Sequence, residues 1–248
     1  MDNLLLLSGN DIPFPQAHIS IHQPTLREIA YIGEESFFTG YEILNISKNL
    51  LVEEDKNNLN DKSNFDILIA ILRERNAVMQ KNRNCVELVL MLLFPKYIIR
   101  FNPNNIELEE ENEVKNKYYI DNSNFEDFKI IFNQMFNFNN ENNNLKFNPS
   151  GNLAKKIADK IKKRHQILAE KNKKSNKIDM LSRYISILSV GQKKDMNSYF
   201  NYTIYQLLDE FKRFELKEAY DIYIKAKLAG AQDLKEVEEW MKDIHSEK

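Results

Sequence analysis

The chain has 248 residues, of which 42% are hydrophobic and 29% are charged, enough apolar material for one large domain or two small ones. The 35 Lys and Arg residues nearly balance the 37 Asp and Glu residues, giving a formal net charge of −2. This balance argues against a globally basic nucleic-acid binder, although a local basic patch remains open. The single cysteine, Cys85, excludes an intramolecular disulfide and is expected in the core of a protein from a reducing compartment.

The first residues are predicted to form a mobile lead-in, followed by a short strand. Two prolines disfavour both a helix and a central strand within residues 1–16. Over residues 17–22, apolar and polar residues alternate, which is the pattern of a half-buried strand. His18 and His22 would share the polar face of that strand. Because the sequence places no third ligand beside them, we expect no bound metal.

A helical region is predicted to follow the strand. Thr25 and Glu28 form a T-x-x-E capping box, which is typical of the first turn of a helix. The apolar spacing of a helix then continues as far as Leu44. Gly33 and Gly40 interrupt this pattern, and we expect each to mark either a break or a close contact between backbones.

The middle of the chain is predicted to contain both helices and strands. Apolar periodicity indicates a helix capped by residues 61–64, a break at 82–84 and a short central helix over 85–94. Another helix is expected to begin at Ser123 and to direct its phenylalanines inward. Aromatic and β-branched residues predict three strands, the first two forming a hairpin, at residues 97–101, 106–108 and 118–120.

An Asn-rich stretch, residues 137–152, is predicted to be a linker or loop between two domains. It separates an N-terminal α+β domain, residues 1–136, from a C-terminal helical domain, residues 153–248. After a long basic helix, periodicity predicts helices over residues 178–190, 204–214, 219–228 and 234–244. The predicted fold class is therefore mainly α (α+β), a helical protein with a small β-hairpin and short strands in its N-terminal half.

The sequence lacks the common catalytic signatures. It contains no G-x-x-x-x-G-K-[ST] loop and no G-x-G-x-x-G turn, and its 6 glycines are few for a backbone cradle around phosphate. It also contains no G-x-S-x-G elbow and no H-E-x-x-H helix. We therefore expect a protein without enzymatic activity and without a cofactor.

Residues 154–177 form the strongest charge feature, with ten Lys and Arg residues against Asp159 and Glu170. Such a helix could follow a phosphate backbone and would then bind nucleic acid in a salt-sensitive way. It contains no aromatic residue for stacking on bases, however, so a solvated face or a protein contact is preferred. The candidate nucleic-acid-binding residues are Lys155, Lys156, Lys160, Lys162, Lys163 and Arg164.

Aromatic and apolar residues are concentrated towards the end of the chain, at helical spacing. Most should belong to a core, but a small helical domain cannot bury all of them. Some are therefore expected to form a groove for an apolar helix of a partner. The candidate partner-binding residues are Tyr202, Tyr205, Phe211, Phe214, Trp240 and Met241.

Two segments resemble a known family. Residues 21–38 read IHQPTLREIAYIGEESFF and residues 201–214 read NYTIYQLLDEFKRF, followed by LAGA at 228–231 and WMKDI at 240–244. Together they resemble tail assembly chaperones of tailed phages and prophages of low-GC Gram-positive bacteria. The resemblance implies a helical, non-catalytic protein that binds the long, apolar tape measure protein, and possibly the tail tube protein, and keeps the tape measure soluble during tail assembly.

Two alternative functions remain open at the level of sequence. The basic helix could serve a nucleic-acid-binding accessory protein, or the chain could be a structural virion component of a connector or baseplate. The start of the chain lacks a basic signal-peptide region, and the longest apolar run, residues 86–94, is too short to cross a membrane. We therefore expect the bacterial host cytoplasm, no membrane partner, and possible self-association.

Overall fold

The computed structural model of the chain describes residues 2–47, 62–73, 77–111, 116–136, 180–230 and 240–241. Within these ranges the chain forms nine α-helices, one short 3-10 helix and two small antiparallel sheets, which confirms the predicted mainly α class. The helices are α1 (Asn3–Ser8), α2 (Leu26–Ile32), α3 (Glu34–Leu44), α4 (Asn64–Arg73), α5 (Ala77–Leu93), α6 (Phe125–Phe136), α7 (Met180–Gln192), α8 (Met196–Tyr199) and α9 (Ile204–Leu228). The strands are β1 (Ile12–Phe14), β2 (Ile19–Ile21), β3 (Tyr97–Phe101), β4 (Asn105–Glu110) and β5 (Lys117–Asp121).

The residues before α2 are folded and packed, so the prediction of a mobile lead-in is wrong. β1 pairs with β2 in antiparallel register, with Ile12 opposite Ile21 and Phe14 opposite Ile19. All four side chains are buried, and their burial confirms the predicted alternation on β2. Pro13 is tolerated in β1 because both strands of a two-stranded sheet are edges, where a missing N–H can face away from the partner.

The capping box and both glycine signals of the helical region are confirmed. The hydroxyl of Thr25 accepts the N–H of Glu28, and the Glu28 side chain accepts the N–H of Thr25. Gly33 has a φ of +85° and separates α2 from α3. At Gly40 the two backbones approach closely, because a Cβ there would lie 2.5 Å from the carbonyl oxygen of Cys85 on α5.

Helix α5 runs without interruption through residues 82–84, so the predicted break and the separate short helix are wrong. An asparagine in a helix interior costs at most about 0.7 kcal/mol relative to alanine. Burial of side chains such as Val86 and Leu90 contributes about 1.5–3 kcal/mol each and outweighs that cost. Arg83 also lies 5.2 Å from the ring centroid of Phe101, a cation–π contact that favours a continuous helix.

The three predicted strands of the middle region are confirmed as an antiparallel sheet in the order β3-β4-β5. One face of the central strand β4 packs Leu108 into the core. On the other face Glu107 and Glu109 are shielded by their neighbours on the flanking strands. Arg100 forms ion pairs with both carboxylates, and Lys117 Nζ lies 2.9 Å from Glu107 Oε1. The charges of this face are thus largely balanced within the sheet.

Helix α6 forms the centre of the aromatic core, as predicted from its inward phenylalanines. Phe128 and Phe132 stack with ring centroids 5.5 Å apart, and Phe132 meets Phe136 edge to face at 5.0 Å. Tyr41 of α3 packs against Phe132 at 5.1 Å. The helix begins two residues after the predicted Ser123. A run of aromatic rings therefore joins α3 to α6.

The C-terminal region is helical as predicted, but two of the predicted helices are one. Residues 204–214 and 219–228 belong to the single 25-residue helix α9, which ends at the positive-φ Gly230 as expected. Buried side chains of this region, up to Leu207, join those of the first 136 residues in one hydrophobic cluster.

Two further predictions concern residues that are not described. The proposed linker at 137–152 lies outside the described ranges, as does most of the predicted helix over 234–244. The division of the chain into two domains with these boundaries therefore stays a prediction.

Candidate partner-binding surface

The N-terminal ends of α2 and α9 lie side by side. Thr25 and Thr203 are the N-cap residues of these helices and form an isolated antiparallel β-bridge. In both capping boxes the threonine hydroxyl accepts the N–H three residues later, at 3.3 Å. The fold thus brings residues 21–38 and 201–214, the two segments that carry the family resemblance, into direct contact.

Hydrogen bonds at helix ends join α2 and α3 to the C-terminal region. The first two N–H groups of α2 have no acceptor within their own helix, and they donate to the carbonyls of Tyr202 and Phe200 at 2.7 and 2.9 Å. In return, Glu34 of α3 accepts the N–H of Leu181 in the first turn of α7, at 2.8 Å. Each region therefore satisfies polar groups that the other leaves open.

A lysine fixes the loop between α8 and α9. Lys194 Nζ lies 4.6 Å from the ring centroid of Tyr199 and 4.4 Å from that of Tyr202, donates to the Tyr202 hydroxyl, and lies 3.7 Å from Glu210. Burial favours the neutral amine, but the hydrogen bond to Tyr202 and the charge of Glu210 outweigh it, so the pKa of Lys194 is raised. Tyr202 is consequently held by contacts within the chain.

Glu28 is a charged residue at the contact between the N-terminal ends of α2 and α9, which we call the junction. Its carboxylate accepts both the N–H and the hydroxyl of Thr25 at 2.7 Å, and it lies 3.4 Å from Nε2 of His22. The other ring nitrogen of His22 lies 2.8 Å from Asp11 Oδ1. Burial raises the pKa of Glu28, but the hydrogen bonds from Thr25 and the charge of His22 outweigh burial, and the pKa is lowered.

Replacement of Glu28 by glutamine should make the junction less sensitive to acid. A lowered pKa stabilises the fold above pH 4.5, the ordinary value for this carboxyl, and that stabilisation is lost as pH falls through the folded-state value. Because the carboxylate is 39% exposed, E28Q should cost only about 0.5 kcal/mol at pH 7. Urea unfolding at pH 7 and pH 3.5 measures the difference, which should shrink at the lower pH.

The control for this experiment is Glu111→Gln, a change of the same chemistry at an exposed position after β4. E111Q should change stability at pH 7 by clearly less than E28Q does, because its side chain is exposed and makes no comparable contact with a helix cap. A stability difference between wild type and E28Q that stays constant between the two pH values would contradict the role given to the Glu28 charge.

Three of the predicted partner-binding residues make contacts inside the fold. Tyr205 is buried, and its hydroxyl lies 3.4 Å from Oδ1 of Asn3 on α1. Tyr202 belongs to the lysine cluster described above. Phe211 stacks on Tyr184 of α7 with ring centroids 4.0 Å apart. These aromatic rings therefore help to pack α9 against α1 and α7.

The other three predicted residues lie at or near a surface cleft of about 360 Å³ between α7 and α9. Phe214 and Trp240 line this cleft together with Gly191, where a Cβ would collide with the Phe214 ring. Arg213 donates to the carbonyl of Trp240 at 3.3 Å. Met241, the residue after Trp240, is 71% exposed. The lining combines the apolar rings of Phe214 and Trp240 with side chains of both charges.

Exposed apolar side chains are frequent on the C-terminal helices. Twelve large apolar side chains are exposed among the described residues, and half of them lie in residues 180–230 and 240–241. Single exposed apolar side chains are normal on protein surfaces, but their concentration in this region makes it the candidate contact surface. The six are Ile187, Val190, Met196, Ile222, Leu228 and Met241.

The predicted polar face of β2 opens on a second cleft of about 360 Å³. His18, Ser20 and His22 line it on one side, as the alternation indicated, and Tyr97 and Glu110 lie on the other. Within the described part of the chain, no group of three or more His, Cys, Asp or Glu residues is placed to hold a metal ion. No helix in that part is long and apolar enough to cross a membrane.

Sequence reasoning missed several residues that position these surfaces. The Leu-rich helix α1 was not predicted, although Asp2 and Gly9, which cap its two ends, are recognisable signals. No local signal indicates the long-range contacts of Gln23 or Lys194. The candidate nucleic-acid-binding residues Lys155, Lys156, Lys160, Lys162, Lys163 and Arg164 lie outside the described ranges, and their role stays a prediction.

Comparison with known proteins finds a similarity in the C-terminal region. Residues 170–245 match the family described as the YomV second domain. YomV is a protein of a Bacillus phage region, and the similarity indicates that this chain is a phage-associated protein. The match includes α7, α8, α9 and the cleft with Trp240. No curated protein and no solved structure matches the chain.

Proposed function

We propose that this protein is a phage tail assembly chaperone that binds the tape measure protein and keeps it soluble in the host cytoplasm, without catalysing a reaction. The exposure of apolar side chains on the YomV-like region carries this proposal. The similarity to a phage-region protein supports a role in a phage. The resemblance of residues 21–38 and 201–214 to tail assembly chaperones supports the tape measure protein as the partner. The tail tube protein is a possible second partner.

Apolar burial would dominate the binding. A long apolar helix aggregates in water, and covering its apolar stripe removes the driving force for that aggregation. The described C-terminal residues include exposed Val190, Leu228 and Met241 for such a contact. Binding carried by apolar surface should resist high salt, unlike binding to phosphates, which weakens steeply as salt rises.

Co-expression with the tape measure protein of the same gene cluster should raise the soluble fraction of that protein several-fold. Replacement of Met241 by aspartate should reduce this effect, because it places a charge beside the apolar cleft. Met91→Asp is the matched control, since Met91 is 52% exposed on α5, outside the YomV-like region. The soluble fraction is measured by centrifugation of lysates at about 0.1 and about 1 M salt, a range over which phosphate binding would be lost.

Two outcomes would contradict the proposal. The first is a tape measure protein that remains insoluble in the presence of the wild-type chain. The second is the presence of this chain in purified virions in stoichiometric amounts, which would favour a structural virion component instead. Equal loss of solubility with M241D and M91D would contradict the placement of the contact on the YomV-like region.

A further inference from the structure

The two edge strands of the three-stranded sheet differ in how their backbones are hydrogen-bonded. At the β5 edge, the buried side chain of Asn124 takes the place of a further strand. Its Nδ2 donates to the carbonyl of Tyr119, and its Oδ1 accepts the N–H of Asp121, both at 3.0 Å. Lys117 adds an exposed charge to the same strand. Covering groups and lysines of this kind are typical of edges that are protected against pairing with another strand.

The hydrogen-bonding pattern of β3 shows which of its backbone groups face outward. The carbonyl of Lys96 accepts the N–H of Glu111 just before the strand, and the N–H of Asn102 donates to the carbonyl of Asn105 just after it. In an antiparallel ladder, hydrogen-bonded and non-bonded pairs alternate. The even-numbered residues of β3 therefore bond to β4, and the odd-numbered residues direct their N–H and C=O groups away from it.

These outward groups make β3 an open edge. They belong to Tyr97, Ile99 and Phe101. Of the outward groups, only the N–H of Tyr97 is hydrogen-bonded within the described part of the chain, to the carbonyl of Phe94 at 3.1 Å. β3 also contains no proline and no lysine, the residues that commonly protect an edge. The strand can therefore accept a further strand at this edge.

The side chains of β3 also leave apolar surface uncovered. On the inner face of the sheet, Leu108 of β4 and Ile120 of β5 are fully buried. The residues of β3 on the same face are only partly buried, namely Tyr97, Ile99 and Phe101. Burial of the inner face is therefore incomplete at the β3 side, and a further strand there would extend it.

We propose that β3 pairs with β3 of a second copy of this chain, in antiparallel register about Ile99, and that the two sheets become one six-stranded sheet. In this register Ile99 lies opposite the partner's Ile99, and Tyr97 lies opposite the partner's Phe101. The two Ile99 residues exchange both of their backbone hydrogen bonds, and each Phe101 N–H donates to the partner's Tyr97 carbonyl. The N–H of Tyr97 keeps its bond to Phe94.

The sequence of β3 favours a second copy over an unrelated strand. It reads YIIRF, so pairing about its centre places an aromatic ring opposite an aromatic ring at both ends and two isoleucines opposite each other in the middle. Cross-strand pairs of aromatic and of β-branched residues stabilise antiparallel sheets. A two-fold symmetric interface requires a self-complementary surface of this kind.

The charges on the outer face permit the same pairing. Ile98 of each copy lies opposite the partner's Arg100, so no like charges are directly opposed. Arg100 already forms ion pairs with Glu107 and Glu109 within its own sheet. Its aliphatic stem can cover Ile98 of the other copy, which is 41% exposed. The pairing therefore buries apolar surface without leaving a charge uncompensated.

A dimer of this kind should be weak and reversible. The five residues of β3 offer less contact than the about 1,600 Å² that a stable interface typically buries, so we expect dissociation in the micromolar range. Sedimentation equilibrium from about 1 to about 300 μM protein covers that range. The weight-average mass of wild type should rise from the 29.4 kDa of one chain towards twice that value.

Ile98→Lys should weaken the dimer about tenfold, because like charges directly opposed on neighbouring strands are destabilising. Within one chain the new ammonium lies opposite Glu109, whereas in the dimer it lies opposite the partner's Arg100. Tyr119→Lys is the matched control. Tyr119 is also 41% exposed on the outer face, and it lies opposite Glu107 at the other edge of the sheet. Y119K should therefore keep the dissociation constant of wild type.

Ile99→Pro tests the backbone contact. It removes an N–H that bonds to no other residue of the chain, and proline is tolerated on edge strands for that reason. I99P should remain monomeric throughout the concentration series. Amide hydrogen exchange tests the same contact without a substitution, since protection of the Ile99 N–H should rise with protein concentration while that of Ile98, bonded to β4, should not change. Circular dichroism and urea unfolding check that each variant is folded.

The proposal is contradicted by any of the following outcomes. Wild type that stays monomeric up to about 300 μM would overturn it, and protection of the Ile99 N–H on addition of a different protein would then assign the edge to a foreign strand. A dimer unaffected by both I98K and I99P would use another surface. A dimer lost with I99P but unchanged by I98K would overturn the register about Ile99. Equal weakening by I98K and Y119K would indicate a general effect of charge.

Discussion

Replacement of Phe128 by alanine is expected to destabilise the fold by about 4 kcal/mol, because a large ring would be lost from a closely packed interior. Phe128 is fully buried in α6 and lies at the centre of the aromatic core. Its ring centroid lies 5.5 Å from that of Phe132 and 6.3 Å from those of both Phe14 and Phe94. The truncation would leave a cavity between α6, β1 and the end of α5, and urea unfolding at pH 7 measures the loss.

Ile130→Ala is the control for this substitution. Ile130 lies on the exposed side of the same helix, so its truncation should change stability by less than about 0.5 kcal/mol. A loss of less than about 1 kcal/mol for F128A would contradict the assignment of Phe128 to a tightly packed core, because such a core cannot collapse around a missing ring.

Replacement of Gly40 by alanine should cost about 2 kcal/mol, although glycine to alanine in an exposed helix usually stabilises by about 1 kcal/mol. The added Cβ would lie 2.5 Å from the carbonyl oxygen of Cys85 and 2.7 Å from Cγ2 of Val89. The first contact is with backbone of α5, which cannot rotate away, so α3 and α5 must separate. Thermal unfolding should show a Tm lowered by several degrees.

Ser36→Ala tests the same helix at a half-exposed position and should change stability by less than about 0.5 kcal/mol. An increase in Tm for G40A would mean that helix propensity outweighs packing at this site. The close approach of α3 and α5 would then not be a constraint on the fold.

The mutations that test stability and those that test binding involve different parts of the molecule. Phe128 and Gly40 hold the helices of the first 136 residues together, whereas Met241 is 71% exposed next to Trp240 of the C-terminal cleft. A variant from the second group that loses partner binding but keeps its unfolding transition would therefore report on recognition rather than on folding.

Local signals in the sequence were enough to locate most elements. The Thr25 capping box, the strands of the middle region and the inward phenylalanines of α6 each depend on residues within a few positions of one another. Such patterns reflect steric and hydrogen-bonding preferences that act over one or two turns. The mainly α class with a small sheet follows from them.

At some positions long-range packing overrode those local signals. Helix α5 continues through residues 82–84 because its apolar face is buried, and α9 continues beyond residue 214 as a single helix. Tyr205 is likewise buried, with its hydroxyl donating to Asn3 of α1, and nothing near it in the sequence indicates that contact. An aromatic residue on an open surface and one covered by a distant segment have the same local sequence pattern.

The sequence by itself determined the type and approximate position of the helices and strands and the apolar character of the C-terminal helices, because each is encoded in neighbouring residues. At Gly40 it left a break or a close backbone contact open, and the structure shows the contact. Only the tertiary structure decided that Thr25 meets Thr203, that Lys194 holds Tyr202, and that α1 packs against α9. Those contacts join residues far apart in the chain. They form only when burial of a shared core brings the two regions together, so no local pattern contains them.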